Sequence, residues 1–348
     1  MTRMTANAGK SVLHRPLALI MLALVTVIAG ALGWLYLDYQ RFLRTPLALG
    51  SEGRNLEVRP GQSLSGLAWQ LHEQGLLAQP RYLALLGRVS GEAGRIQAGE
   101  FHVPAGATPG ELLQILTSGR VVQYPVTLIA GWTLQQLRAY LARQPFLDHT
   151  LDGVDDAELM QRLERPGQHP EGWFLPDTYH FPRGTRDILV LRRALQAMER
   201  HLEQSWQGRA PDLPLDSPYE ALILASIVEK ETGIPEERAR IAGVFIRRLE
   251  RGMRLQTDPT VIYGMGAAFD GNIRRRDLRT DTPYNTYTRG GLPPTPIALP
   301  SAEAVTAVMH PAAGEALYFV SRGDGSHVFS ATLEEHNRAV RRYQLNRP

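Results

Sequence analysis

The sequence predicts an α+β protein in three parts. An N-terminal transmembrane helix comes first, then a small α+β module, then a larger, mainly helical domain with a minor antiparallel sheet. Three observations carry this reading. Leu17 to Leu37 is an apolar run without a charge, and a bilayer core needs about 20 helical residues. Between Leu56 and Val122, short strand-like runs alternate with apolar residues at helical spacing. From Pro218 to Arg251 two helical patterns follow each other, and "ALYFVSRGDGSHVFS" alternates apolar residues around Gly-Asp-Gly, the pattern of a hairpin.

The totals narrow the class. A chain of 348 residues can hold one large or two medium domains, each with its own core. It has no cysteine, which excludes disulfides and thiolate metal ligands. The formal net charge is +3, and no basic block with interleaved aromatics occurs, so nucleic acid is not an expected partner.

The apolar run is flanked in a telling way. Arg3, Lys10 and Arg15 precede it, which predicts a cytoplasmic N-terminus over residues 1–16. Trp34, Tyr36 and Tyr39 stand at its other end, where aromatic rings favour the membrane interface. No A-x-A site follows; Asp38, Arg41 and Arg44 do. This argues for a retained anchor over a cleaved signal peptide. The lipid bilayer is thus an expected partner of Leu17 to Leu37, and the rest of the chain is expected outside the cytoplasm. Residues 38–55 read as a polar tether, which at about 20 residues reaches at most ~70 Å.

The module over residues 56–122 starts with a short strand, a Pro60-Gly61 turn and a helix with Ser63 as N-cap. A second helix is predicted from Pro80 to Val89, then a strand at "AGEFHVPAG". Thr108, Pro109 and Gly119 mark the start and end of a third helix. Residues 123–348 form the larger domain. A strand is expected at Val126 to Ala130, and helices at "GWTLQQLRAYLARQ", Asp148 to Arg165 and Ile188 to Trp206. "EGWFLPDTYHFPRGT" (171–185) is aromatic and shows no period. Further helices are expected over Pro218 to Thr232, Glu236 to Arg251, Ser301 to Met309 and from Thr332 onward. "LQTDPTVIYGMG" and "TDTPYNTYTRGGLPPTPIALPS" read as loops.

The helix beginning at Pro218 ends in Glu229, Lys230 and Glu231. Carboxylates at a helix C-terminus oppose the macrodipole. On a helix, residues three, four and seven back share a face. For Glu231 these are Val228, Ile227 and Leu224, all large and apolar; for Glu229 they are Ser226, Ala225 and Leu222. Glu231 is therefore expected on the desolvated side, where loss of water raises a carboxyl pKa. Such a group can act as a general acid near neutral pH.

Two resemblances add to this. "VRPGQSLSGLAWQL" resembles the start of a LysM-type unit, a small fold that binds N-acetyl sugars of cell-wall glycans. "ASIVEKETGIPEERARIAGVFIRRLERGMRLQTDPTVIYGMG" and "PYNTYTRGGLPPTPIALPS" resemble the MltG/YceG family of membrane-anchored endolytic murein transglycosylases, and "EGWFLPDTYHF" is similar to that family's "EGYLFPDTY", with Trp173 in place of Tyr. The likeness runs from about Leu56 to the C-terminus. It implies a lyase that cleaves the MurNAc–GlcNAc bond within nascent peptidoglycan strands, without water, leaving 1,6-anhydro-MurNAc ends. It also implies a LysM-like module beside the catalytic domain and a place in the bacterial inner membrane, with the catalytic domain periplasmic. The family's acid lies in the "VEKE" string and falls on Glu231, with Glu229 in reserve. No cofactor is expected.

Around that acid, Gln256, Thr257, Asp258, Tyr284, Asn285 and Tyr287 are candidate substrate-binding residues. Amide and phenol groups can bond acetamido groups and stack on sugar faces, and Tyr284 or Tyr287 could bond the acid. His310, His327 and His336 match no metal-ligand spacing, although His327 and His336 could touch a groove. Two other readings stay open. One is a non-catalytic, glycan-binding scaffold for peptidoglycan synthases; the other is a muramidase-type hydrolase using Asp258 or Glu229 as a second carboxylate.

Overall fold

A computed structural model describes residues 14–345 of the chain. Arg3 and Lys10, on which the orientation of the anchor was argued, lie outside them. The chain divides into two compact units between Val122 and Gln123.

The first unit opens with helix α1, His14–Arg44. Among the described residues it is the one helix long and apolar enough to cross a membrane. Leu19, Ile20, Leu22 and Trp34 on it are all exposed. The helix does not stop at Leu37. It continues for about two more turns, and Phe42 near its end is buried in the core of the unit together with Leu47 and Leu49. Asp38 accepts hydrogen bonds from Tyr82 Oη at 2.9 Å and Gln79 Nε2 at 3.2 Å. The backbone of Leu47 is bonded to Ala107 O and that of Ala48 to Leu76 O. Much of the stretch expected as a tether is therefore part of the folded unit. Its apolar residues Phe42, Leu47 and Leu49 explain why, since burying each large apolar side chain gains about 1.5–3 kcal/mol.

The rest of this unit is β1 (Arg54–Val58), α2 (Leu64–Glu73), α3 (Pro80–Val89), β2 (Gly99–Val103) and α4 (Pro109–Thr117). β1 and β2 pair antiparallel, with Leu56 opposite Phe101. Ser63 caps α2 through Gly66 N, and Thr108 and Glu111 cap α4 reciprocally, as their residue types favour. Leu67, Leu71, Phe101 and Leu112 are fully buried beneath the pair.

The second unit contains β3 (Tyr124–Thr127), α5 (Leu134–Leu141), β4 (Leu147–Asp148), α6 (Asp156–Arg162), β5 (Thr178–Phe181), β6 (Thr185–Arg186), α7 (Asp187–Gln207), α8 (Pro218–Glu231), α9 (Pro235–Glu250), α10 (Asp258–Met265), α11 (Ala302–Met309), β7 (Tyr318–Ser321), β8 (His327–Ser330) and α12 (Leu333–Val340). β3 pairs antiparallel with β5, β7 with β8, and β4 makes a two-residue parallel pair with β6. One core lies among α5, α6 and α7, and another among α8, α9 and α11. The mixed α+β class with small antiparallel sheets thus agrees with the sequence.

Four elements differ from expectation. The helix expected over Asp148 to Arg165 spans only Asp156–Arg162, with Asp148 in β4. The first strand lies at Tyr124–Thr127, slightly earlier than predicted. The aperiodic aromatic stretch holds β5 and β6. "LQTDPTVIYGMG" is largely helix α10, with Pro259 in its first turn, where a missing N–H costs nothing.

α8 is the axis of the unit. Ser217 caps it by accepting from Glu220 N, and residues 221–228 are all buried. A helix apolar on every face belongs in a core. It ends at Glu231, because Thr232 turns extended (φ −145°) and its Oγ1 accepts from Ile234 N. The end of α8 is therefore fixed on both sides, which fixes Glu231.

Candidate active site

Glu231 stands at the edge of a cleft of about 460 Å3, lined also by Gln256, Thr257, Asp258, Tyr287 and residues of the β7–β8 hairpin and α12. The bend leading into α10 brings the first three together with the acid. Gln256 takes a positive φ of 51° there, a conformation uncommon for a residue with a side chain. A threonine cluster holds the bend. Thr257 N donates to Thr286 Oγ1 at 3.1 Å, and Thr260 Oγ1 donates to Thr257 O at 2.8 Å. The Thr257 hydroxyl in turn donates to Glu231 Oε1 in a very short hydrogen bond.

Burial pushes the Glu231 pKa from 4.5 up to about 7. The bond from Thr257 opposes the shift, Asp258 adds to it, and His327 and Arg248 oppose it. Desolvation wins, so much of the acid remains protonated near neutral pH. Asp258 Oδ1 accepts from Tyr287 Oη at 2.6 Å. Burial and the two nearby carboxylates push the Tyr287 phenol pKa upward, so it stays a donor.

The structure separates the two helix-end acids by their partners. Glu229 Oε2 accepts from Ser301 N at 3.0 Å and from the Ser301 hydroxyl. Its other oxygen lies 3.9 Å from the Arg238 guanidinium. It anchors the N-cap of α11 and does not line the cleft that holds Asp258 and Tyr287, although it shares with Glu231 a neighbouring groove of about 420 Å3. The face argument made from the sequence does not distinguish the pair, because Ser226, Ala225 and Leu222 are as buried as Val228, Ile227 and Leu224.

Two candidates from the "PYNTY" stretch fall elsewhere. Asn285 is buried, and its amide nitrogen donates to the carbonyls of Asp277, Leu278 and Thr280 while its oxygen accepts from Tyr287 N. It braces the loop that delivers Tyr287. Tyr284 packs edge-on against Tyr263 with ring centroids 4.9 Å apart and hydrogen-bonds Thr295. Neither tyrosine bonds Glu231; Thr257 does.

Sequence reasoning missed two groups. Arg248 is buried below the cleft, where its guanidinium donates to Leu317 O at 2.7 Å and Leu255 O at 2.8 Å. It thereby ties the hairpin to the bend before α10. Its setting in "FIRRLERG" gave no sign of burial. The other is Glu237, whose oxygens accept from His327 N at 3.0 Å and face His327 Nδ1 at 2.6 Å. This pairing holds the imidazole in the cleft wall. His336 lines the same cleft and stacks on Tyr318, whereas His310 follows α11 away from it.

The model of the YceG-like family matches residues 56–342. A Bacillus subtilis protein named endolytic murein transglycosylase is 29% identical, with 83% of this chain and 84% of the relative aligned. A Streptococcus pneumoniae protein of the same name is 26% identical over 88% of this chain, which spans 61% of that longer relative. The crystal structure of a YceG-like protein of Listeria monocytogenes covers 83% of this chain and all of that one, with a TM-score of 0.54 and 27% identity.

Proposed function

The chain belongs to the YceG-like family, and on that footing we propose that it cuts peptidoglycan glycan strands with Glu231 as its acid. It is an endolytic murein transglycosylase, a lyase, as its relatives are named. The observation that carries the role of Glu231 is its place in the cleft, desolvated yet bonded by Thr257.

One carboxyl suffices for the chemistry. Glu231 donates its proton to the bridging oxygen as the bond from that oxygen to C1 of N-acetylmuramic acid breaks. The carboxylate left behind takes the proton of the C6 hydroxyl as O6 bonds C1. The product carries a 1,6-anhydro ring and the acid is restored. Developing positive charge at C1 favours nearby oxygens, and Asp258, Thr257 and Tyr287 supply them. Gln256 presents an amide to acetamido groups. Glu231→Gln should abolish anhydro ends in mass spectra of digested sacculi. Ends that persist would remove Glu231 from the role.

A second reading has one observation in its favour: Asp258 shares the cleft with Glu231. As a base it could direct water to C1. Oxygen from labelled water in the new end group identifies hydrolysis, and its absence identifies the lyase.

The proposal extends to location. α1 serves as a single-pass anchor in the cytoplasmic membrane, with the N-terminus inside and the second unit outside. Its exposed apolar surface and the preceding basic residues support this. The β–α–α–β order of the first unit and its antiparallel strand pair support a LysM-like, sugar-binding reading. A cutter of nascent strands held there works beside the synthases that extrude them, which makes those enzymes its expected neighbours.

A further inference from the structure

Lys230, next to Glu231, borders a second cleft of about 780 Å3, lined also by Gln136, Arg138, His169, Glu171 and Tyr263. The groove of about 420 Å3 shares lining residues with both clefts. It contains Glu231, which the first cleft also contains, and Lys230 and Gln136, which the second also contains. Cleft surface therefore lies on both sides of Glu231.

Glu171 is the unused group in this second cleft. It is 3% exposed. Its Oε1 accepts from Leu134 N at 2.9 Å and its Oε2 from Tyr263 Oη at 3.1 Å. Gly172 follows with φ +84°, and a Cβ there would meet Pro296 Cβ at 2.5 Å, so the backbone that aims Glu171 requires glycine. Burial pushes its pKa up to about 7, against the hydrogen bonds of Leu134, Tyr263 and Gly172. A neutral carboxyl is a donor. Of the groups bonded to the Glu171 carboxyl, Leu134 N can only donate, whereas the Tyr263 hydroxyl can accept as well as donate, so a ligand carbonyl in the cleft would compete with Tyr263 for the Glu171 proton.

The charges facing it are few. Arg138 on α5 is paired with Asp156 on α6 at 3.0 Å. Lys230 on α8 donates to Gly131 O at 3.1 Å. His169 accepts from Glu171 N, and burial lowers its pKa. Tyr263 on α10 is a phenol whose pKa is pushed upward. Pro259, Ile262 and Ile297 supply apolar surface. A hydrogen-bonding cleft with apolar walls and mostly paired charge suits a neutral, amide-bearing sugar better than an ion.

We propose that the Glu171 cleft is a second sugar-binding site, into which the glycan strand continues past Glu231, with Glu171 donating a hydrogen bond to the carbonyl oxygen of an acetamido group. This rests on the reading that the Glu231 cleft takes the same strand. The test uses the full chain in detergent carrying Glu231→Gln, so that nothing is cut. Calorimetry compares a peptide-free tetrasaccharide and octasaccharide of alternating N-acetylglucosamine and N-acetylmuramic acid. The octasaccharide should bind more tightly. Adding Glu171→Ala should remove that gain, about tenfold for one hydrogen bond to a buried partner.

Glu171→Gln answers the case in which the alanine variant fails to fold. Its amide donates at any pH. The gain should then survive at about pH 8 in that variant and shrink there with Glu171 in place, whose ordinary carboxyl value is raised to about 7. Equal gains with Glu171 and with a folded Glu171→Ala, a gain with Glu171 in place that does not change with pH, or a gain seen only when stem peptides are attached would each overturn the proposal. A persisting gain in a chain whose unaltered form leaves no anhydro ends would instead sink the cutting reading alone.

Discussion

At the scale of single residues, the balance around Glu231 sets how the protein responds to pH. Only the protonated acid can donate to the bridging oxygen, so kcat/KM should fall as pH rises through about 7. The Thr257 hydroxyl bonds the carboxylate and favours its ionised form. Thr257→Val should therefore move the alkaline limb of the pH–rate profile upward, and a downward move would contradict this account of the site. The same shifts act on stability. Glu231 and Glu171 are both raised from 4.5 to about 7, so between those values the unfolded chain gives up protons that the folded chain keeps. Stability contributed by these groups is complete below about pH 4.5 and is lost as pH rises to about 7. Melting temperature should fall across that window, and Glu231→Gln should melt higher than the unaltered chain at about pH 8.

At the scale of elements, the end of α8 gives its two acids different partners. Glu229 closes the N-terminus of α11. Glu229→Ala leaves Ser301 N without its acceptor and Arg238 without its carboxylate, and should cost about 2–4 kcal/mol in chemical denaturation. In that variant the alkaline limb near pH 7 should persist, since Glu231 keeps Thr257. α8 was legible as an unbroken apolar run opened by the Ser217 cap, α9 by its spaced apolar residues and the hairpin by its alternation. So was the closeness of "QTD" to the acid, given the family resemblance. Asn285 was not legible. A polar residue between two tyrosines looks like a ligand contact, and only the folded loop shows its amide turned to three carbonyls. Helix α10 was hidden because Asp258-Pro259 also opens turns. Arg248 was hidden because burying its guanidinium requires carbonyl acceptors, one from the bend at 255 and one from the distant stretch at 317.

At the scale of the whole molecule, the first unit depends on residues that the sequence read as a linker. Phe42, Leu47 and Leu49 are buried in it, each contributing about 1.5–3 kcal/mol. A chain beginning at Asp38 should retain a cooperative melting transition for this unit. A chain beginning at Ser51 should lose most of it, as followed by circular dichroism of residues up to Val122. An unchanged melt in the shorter chain would mean that these side chains add little.

The unbroken run of α1 from apolar stretch to folded core removes the leash that a loose connection would provide. A spindle with no slack hands its lean in the lipid, or a piston stroke along it, straight to the head it carries. That head would then keep one standing height above the lipid. Thickening the bilayer would raise or lower that height, and a swivel spliced in after Arg44 would blur it.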